Sequence, residues 1–228
     1  MKETFITLLS ELGITVTDRQ YEQFHKYYEI LIEWNDKINL TAITDKEDVF
    51  IKHFYDSICL VKTMDINSQT LLDVGSGAGF PSIPLKILYP ELKVTIIDAL
   101  NKRINFLKLL TNELGIDAEL IHGRAEEYKR KHCFDIVTAR AVANMQMLTE
   151  LCLPFVKIGG VFAAMKGPKL KEELPSSLHA ITLLGGKVKN TFEYSIKDQL
   201  RNIVVIEKIQ KTSPKYPRKF SQIKSNPL

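Results

Sequence analysis

Apolar positions recur at helical spacing through residues 1–63 and then change to short β-branched runs separated by helical stretches. Phe5, Leu8, Leu9 and Leu12 share one face, and Gly13 ends that helix. Thr17 or Asp18 caps the next, whose stripe is Tyr21, Phe24, Tyr28, Leu31 and Ile32. Residues 35–44 are polar enough to be a connection, and 46–61 read as a third helix bearing Phe50, His53, Phe54, Ile58 and Leu60. The segment 1–66 is expected to be a helical extension packed on the main fold, since it is small and amphipathic throughout.

From Thr70 the pattern predicts strands at 70–74, 93–98, 118–122, 134–139, 160–166, 187–194 and 200–209. Between them lie a helix entered at about Ser82, one at 101–114 stopped by Gly115, a short polar helix from Arg124, one at 144–156, and one at 170–184 that Pro175 should break or restart. Strands alternating with helices, then two strands without a long helix between them, imply an α/β fold. Its sheet is seven-stranded and mostly parallel, with an antiparallel last strand. Right-handed crossovers put helices on both faces, and ligands bind at the carboxyl ends of the strands near the switch point. The expected division is 1–66 extension, 67–210 core and 211–228 basic tail.

Composition adds few constraints. A chain of 228 residues with 45% apolar and 25% charged residues suits one elaborated globular domain. It has no apolar run of the roughly 18–20 residues a membrane span needs, and Met1–Phe5 lacks a signal-like core. Cys59, Cys133 and Cys152 are scattered without metal-ligand or disulfide spacing, so no metal is expected and a cytoplasmic location is. The net charge of +4 matters less than its placement. After Glu207 come Lys208, Lys211, Lys215, Arg218, Lys219 and Lys224 with no acid, interleaved with Tyr216 and Phe220. Phosphate contacts with base stacking fit that mixture, as does a solvated tail.

The stretch Asp73-x-Gly75-x-Gly77-x-Gly79-Phe80 follows the first strand. Glycines there permit a left-handed turn and close approach of a ligand to backbone amides. A dinucleotide fingerprint needs a third glycine where Phe80 stands, and Walker-type residues are missing, so S-adenosylmethionine fits better than a dinucleotide or a triphosphate. Asp98, ending the second strand, is placed to accept from both ribose hydroxyls. Arg140 ends the fourth strand, where a guanidinium must find an acid, a cofactor carboxylate or an RNA phosphate. His53 and Asp56 lie one helical turn apart, a spacing that also fits a cap or an interhelical bond. Lys166 ends the fifth strand, as a phosphate ligand or a solvated lysine.

The glycine turn with Asp98 resembles class I S-adenosylmethionine-dependent methyltransferases. Several further segments are similar to the bacterial 16S rRNA guanine-N7 methyltransferases (RsmG/GidB). They are Trp34-Asn35, Asn39-Leu40-Thr41-Ala42-Ile43, His53-Phe54-Tyr55-Asp56-Ser57, Leu72 to Pro81, Arg124-Ala125-Glu126, Ala139-Arg140-Ala141, Met165-Lys166-Gly167 and Arg201-Asn202-Ile203-Val204-Val205-Ile206. The tail from Lys211 to Lys219 resembles Gram-positive members, and after Phe220 the chain departs from their ending. The resemblance implies methyl transfer from S-adenosylmethionine to N7 of a guanine in 16S rRNA, as free RNA or in the 30S subunit, by a monomer. It implies a cofactor site at Gly75, Gly77, Gly79, Phe80, Asp98, Ala125, Glu126 and Arg140. Arg140, His53 and Asp56 would face the reaction. Lys166, Arg201, Lys211, Lys215, Arg218 and Lys219 would face RNA. Another RNA, a small molecule or a protein as substrate, or a non-catalytic role in ribosome assembly, remain open alternatives.

Overall fold

The computed structural model describes residues 1–140 and 142–228. Ala141, in the Ala139-Arg140-Ala141 motif, lies outside the described residues. The β-branched runs form β1 (Thr70–Val74), β2 (Lys93–Asp98), β3 (Glu119–His122), β4 (Phe134–Arg140), β5 (Val156–Lys166), β6 (Gly186–Ile196) and β7 (Gln199–Lys208). They make one seven-stranded sheet ordered β3-β2-β1-β4-β5-β7-β6. The first five strands pair in parallel, and β7 is antiparallel to both β5 and β6. This is the mostly parallel sheet with antiparallel last strand expected from the pattern. The strand order reverses between β1 and β4, which opens a crevice beyond their carboxyl ends.

Strand periodicity sorts the core onto two faces. Leu71, Ile136, Ala163, Ile203 and Val205 join one apolar cluster, and their neighbours Leu72, Val137, Ala164, Val204 and Ile206 join the other. The first face carries α1 (Lys2–Ser10), α2 (Asp18–Ile38), α3 (Lys46–Val49), α4 (Asp56–Ile58), α5 (Ser82–Leu88) and α6 (Asn101–Leu114). The second carries α7 (Met145–Cys152), α8 (Leu170–Leu183) and α9 (Phe220–Ser225). Thr17 caps α2 in a reciprocal capping box with Gln20, as the sequence suggests.

The structure starts β5 at Val156 instead of 160 and adds α9 in the tail, and two of the expected helices are built differently. The helix read at 46–61 is four short pieces, because Phe50–Tyr55 winds as a π-helix between α3 and α4 and Cys59–Lys62 tightens into a 3-10 turn. The π-turn buries Phe50 and Phe54 while Lys52, His53 and Asp56 all reach Arg140. In contrast, α8 runs through Pro175. Pro175 cannot donate to the Lys171 carbonyl one turn earlier, and the hydroxyls of Ser176 and Ser177 bond only the neighbouring carbonyls of Glu173 and Leu174.

Phe54 is fully buried among Phe24, Tyr27, Phe50 and Phe80 and so joins the extension to the glycine turn. Phe54→Ala is expected to cost about 3–5 kcal/mol in urea unfolding. Leu178→Ala, at a position 49% exposed, should change stability by less than about 0.5 kcal/mol.

Candidate active site

The turn after β1 needs its glycines. Gly75 has φ +72°, and a Cβ there would stand 2.9 Å from the Val142 side chain. Gly79 has φ +100°, and a Cβ would meet the Tyr27 hydroxyl at 2.8 Å and Ile83 at 2.7 Å. The Tyr27 hydroxyl itself donates to the Ala78 carbonyl at 2.5 Å, tying α2 to the turn. Asp98 closes the other side. Its Oδ2 accepts from the Gly77 amide at 3.2 Å and its Oδ1 from the Leu100 amide at 2.9 Å. Arg103 lies 3.4 Å from the same carboxylate.

Beyond these groups is a cavity of about 390 Å³, lined among others by Val74, Gly75, Ile97, Asp98, Arg124, Ala125, Glu126, Val142, Met147 and Phe220. It combines an apolar floor with the acids of β2 and of the turn after β3. Beneath the glycine turn, Asp73 is fully buried. Its Oδ2 accepts from the Ser82 amide at 3.2 Å, while its Oδ1 and the hydroxyls of Ser76 and Ser82 have no partner among the described residues. Burial pushes the Asp73 carboxyl up to about 7, against the hydrogen bonding from Ser82.

A second cavity, of about 310 Å³, lies beyond β4, β5, β6 and β7, lined by Ile43, Lys52, His53, Asp56, Arg140, Met165, Lys166, Gly167, Tyr194 and Arg201. Arg140 Nη1 donates to Asp56 Oδ2 at 3.0 Å, and Tyr194 donates to Asp56 Oδ1 at 2.8 Å. Arg140 Nη2 lies 3.2 Å from His53 Nδ1, and a guanidinium can only donate, so Nδ1 accepts. His53 Nε2 then carries the proton and donates to Thr41 Oγ1 at 2.7 Å. Burial, reinforced by Arg140, lowers His53 to about 3, so its ring stays neutral. Phe80 supports the group: the His53 ring stacks on it at 4.7 Å and the Arg140 guanidinium sits 4.7 Å from its centroid. The two cavities flank the chain leaving β4, with Arg140 on one and Val142 and Ala143 on the other.

A family model described as rRNA small subunit methyltransferase G matches residues 20–204. The chain belongs to that family. A relative from Exiguobacterium sibiricum named ribosomal RNA small subunit methyltransferase G is 50% identical over 236 residues, covering 100% of this chain and 99% of the relative. One of the same name from Staphylococcus epidermidis is 53% identical over 227 residues, covering 96% and 95%. Among solved structures, M. jannaschii TYW2 in complex with AdoMet gives a TM-score of 0.59 at 16% identity, covering 74% of this chain and 80% of that one. TrmN from Thermus thermophilus gives 0.56 at 16% identity, covering 70% and 53%. These place the fold among class I methyltransferases, and an RNA substrate follows from the family.

The cofactor of this methyltransferase family is S-adenosylmethionine, and the residues present fit it. The Asp98 carboxylate, the cradle that a Cβ at Gly75 would fill, and buried atoms of Asp73 and Ser76 that are unpartnered among the described residues all surround one turn. The predicted residues divide between the cavities. Gly75, Asp98, Ala125 and Glu126 line the first, and His53, Asp56, Arg140, Lys166 and Arg201 line the second. Gly77 touches the first through its amide on Asp98, whereas Gly79 and Phe80 line neither and pack beneath. Lys166 is held by Glu173 at 2.7 Å and the Ala143 carbonyl at 2.9 Å. Lys211, Lys215 and Lys219 are exposed. Arg218 is instead bound to the buried Glu150, at 2.6 Å. Sequence reasoning missed Tyr194 and Thr41 as partners; Thr41 stood inside a motif, but Tyr194 carried only the alternation of an edge strand.

A folded-state value of about 7 for Asp73 lies above the ordinary carboxylate value near 4, so the folded chain retains a proton that the unfolded chain releases between about pH 4 and 7. Stability from this group is present below that window and lost as pH rises through it. Asp73→Asn is expected to gain in Tm over the parent between pH 4 and 8, read by thermal melts without cofactor.

Proposed function

We propose that this chain transfers the methyl group of S-adenosylmethionine to N7 of a guanine in 16S rRNA, acting in the cytoplasm as a monomer on the small ribosomal subunit. The observation that carries this reading is the second cavity: an arginine held rigidly beside the cofactor cavity, with no free general base around it among the described residues. Bound S-adenosylmethionine supplies an electrophilic methyl on a positively charged leaving group. Guanine N7 has an in-plane lone pair and no proton to lose, so a base is not required. His53 has its one proton on Thr41 and its lone pair on Arg140, and both Asp56 oxygens accept bonds, so neither is available as one.

The residues therefore work by placement. Asp56, Tyr194, His53 and Phe80 hold Arg140 in one orientation, and a donor of Arg140 not used by them suits the guanine O6. The neutral His53 ring avoids adding a second charge next to a cationic cofactor. Lys52, Lys166 and Arg201 at the rim suit RNA phosphates. Exposed Lys211, Lys215 and Lys219 extend that basic surface onto the tail. The target guanine has to be unstacked or presented in a loop to enter.

Incubation with labelled S-adenosylmethionine and either unmodified 30S subunits or free 16S rRNA, followed by nucleoside mass spectrometry, should yield 7-methylguanosine. If the protein binds cofactor yet forms none on either RNA, the proposal fails. Arg140→Ala should lower turnover by roughly 100-fold, the order expected for misplacing a reactant by about 1 Å.

A further inference from the structure

We infer that the C-terminal segment is part of the cofactor site, and that Phe220 is an adenine-contacting residue. The inference rests on reading the cavity beside Gly75 and Asp98 as the S-adenosylmethionine site.

The basic tail is docked, with Lys208 and Arg218 spent on holding it while Lys211, Lys215 and Lys219 stay exposed. Buried Lys208 donates to the carbonyls of Leu153 at 3.0 Å and Leu184 at 2.7 Å, and also bonds Thr212. Lys131 Nζ holds the Tyr216 carbonyl at 2.6 Å, and Tyr216 itself is buried. Arg218 grips Glu150 of α7 with two parallel bonds, Nε to Oε1 at 2.9 Å and Nη2 to Oε2 at 2.6 Å, and its amide adds a third at 2.8 Å. Glu150 is wholly buried, so this pair fixes the chain in one place. Two residues later Phe220 enters the cavity wall, and Ile223 is fully buried behind it.

Phe220 faces the same space as Asp98 and Glu126, with the Arg124 guanidinium 5.1 Å from its ring centroid. A flat heteroaromatic ligand gains most from an aromatic face, and an arginine on that ring limits its rotation. With Asp98 on the ribose side, the Phe220 side is left for the base. The segment 211–228 thus contributes an aromatic wall for a purine instead of a free arm for RNA stacking.

The test is calorimetric binding of S-adenosylhomocysteine and 5′-methylthioadenosine to the full chain. Phe220→Ala should weaken both ligands by a similar factor, roughly tenfold, because both carry the adenine. The ligand-free melting temperature should stay near the parent's. Phe220→Trp should retain affinity, and its fluorescence, read against the parent's Trp34, should change on adding either ligand. Unchanged affinity of Phe220→Ala overturns the inference, as does a variant that loses RNA affinity alone. Should Phe220→Ala fail to fold, a silent Phe220→Trp signal at saturating ligand overturns it. Failure of the parent to bind S-adenosylhomocysteine overturns instead the cofactor reading beneath it.

Discussion

Arg140 cannot stand at the end of β4 without partners, and that requirement joins three distant parts of the chain. A guanidinium only 15% exposed needs an anion and further acceptors, and losing the partner of such a pair is far costlier than losing a surface bridge. Asp56 supplies the anion and His53 a neutral acceptor, both from the N-terminal helices. Phe80 supplies the stacking surface from the glycine turn. Tyr194, from the last hairpin, fills the remaining side of Asp56. The extension is thereby an integral wall of the second cavity.

The two faces of the sheet converge on the same end for different reasons. On one face the aromatic chain Phe24, Phe54, Tyr27 and Phe80 carries the packing of α2 up to the turn. On the other, Glu150 draws the tail across α7 toward the first cavity. The switch point between β1 and β4 is thus walled from both sides by segments outside the strand–helix alternation. The alternation positions the turn and Asp98, and the added segments decide what else can enter.

How much of this was legible follows from which interactions are local. The sheet, the turn and Asp98 were readable because periodicity and glycine spacing are properties of short stretches. The helix at 46–61 was legible as helix but not as a π-turn, because its winding answers to Phe50 and Phe54 packing on α1 and α2. Pro175 looked like a breaker because its lost bond is local, whereas the packing of Leu170 and Ile181 that holds α8 on the sheet is not. The tail misled most. Its charge run suggested a free arm, yet Arg218 has its acid 68 residues away in an otherwise uncharged helix, where composition alone gives no sign of pairing.

The charges at the second cavity have a further consequence. Four cations line it, Lys52, Arg140, Lys166 and Arg201, and three acids hold them: Asp48 on Lys52, Asp56 on Arg140 and Arg201, and Glu173 on Lys166. The excess is one positive charge, enough to favour an anionic partner, while every cation is already fixed without it. Long side chains ordered beforehand lose little entropy when a polyanion arrives, so binding energy is not consumed in arranging them. The same acids limit the field, so that affinity cannot come from charge alone and shape at the cavity mouth must contribute. A site built this way discriminates by placement, which is also what chemistry without a general base demands.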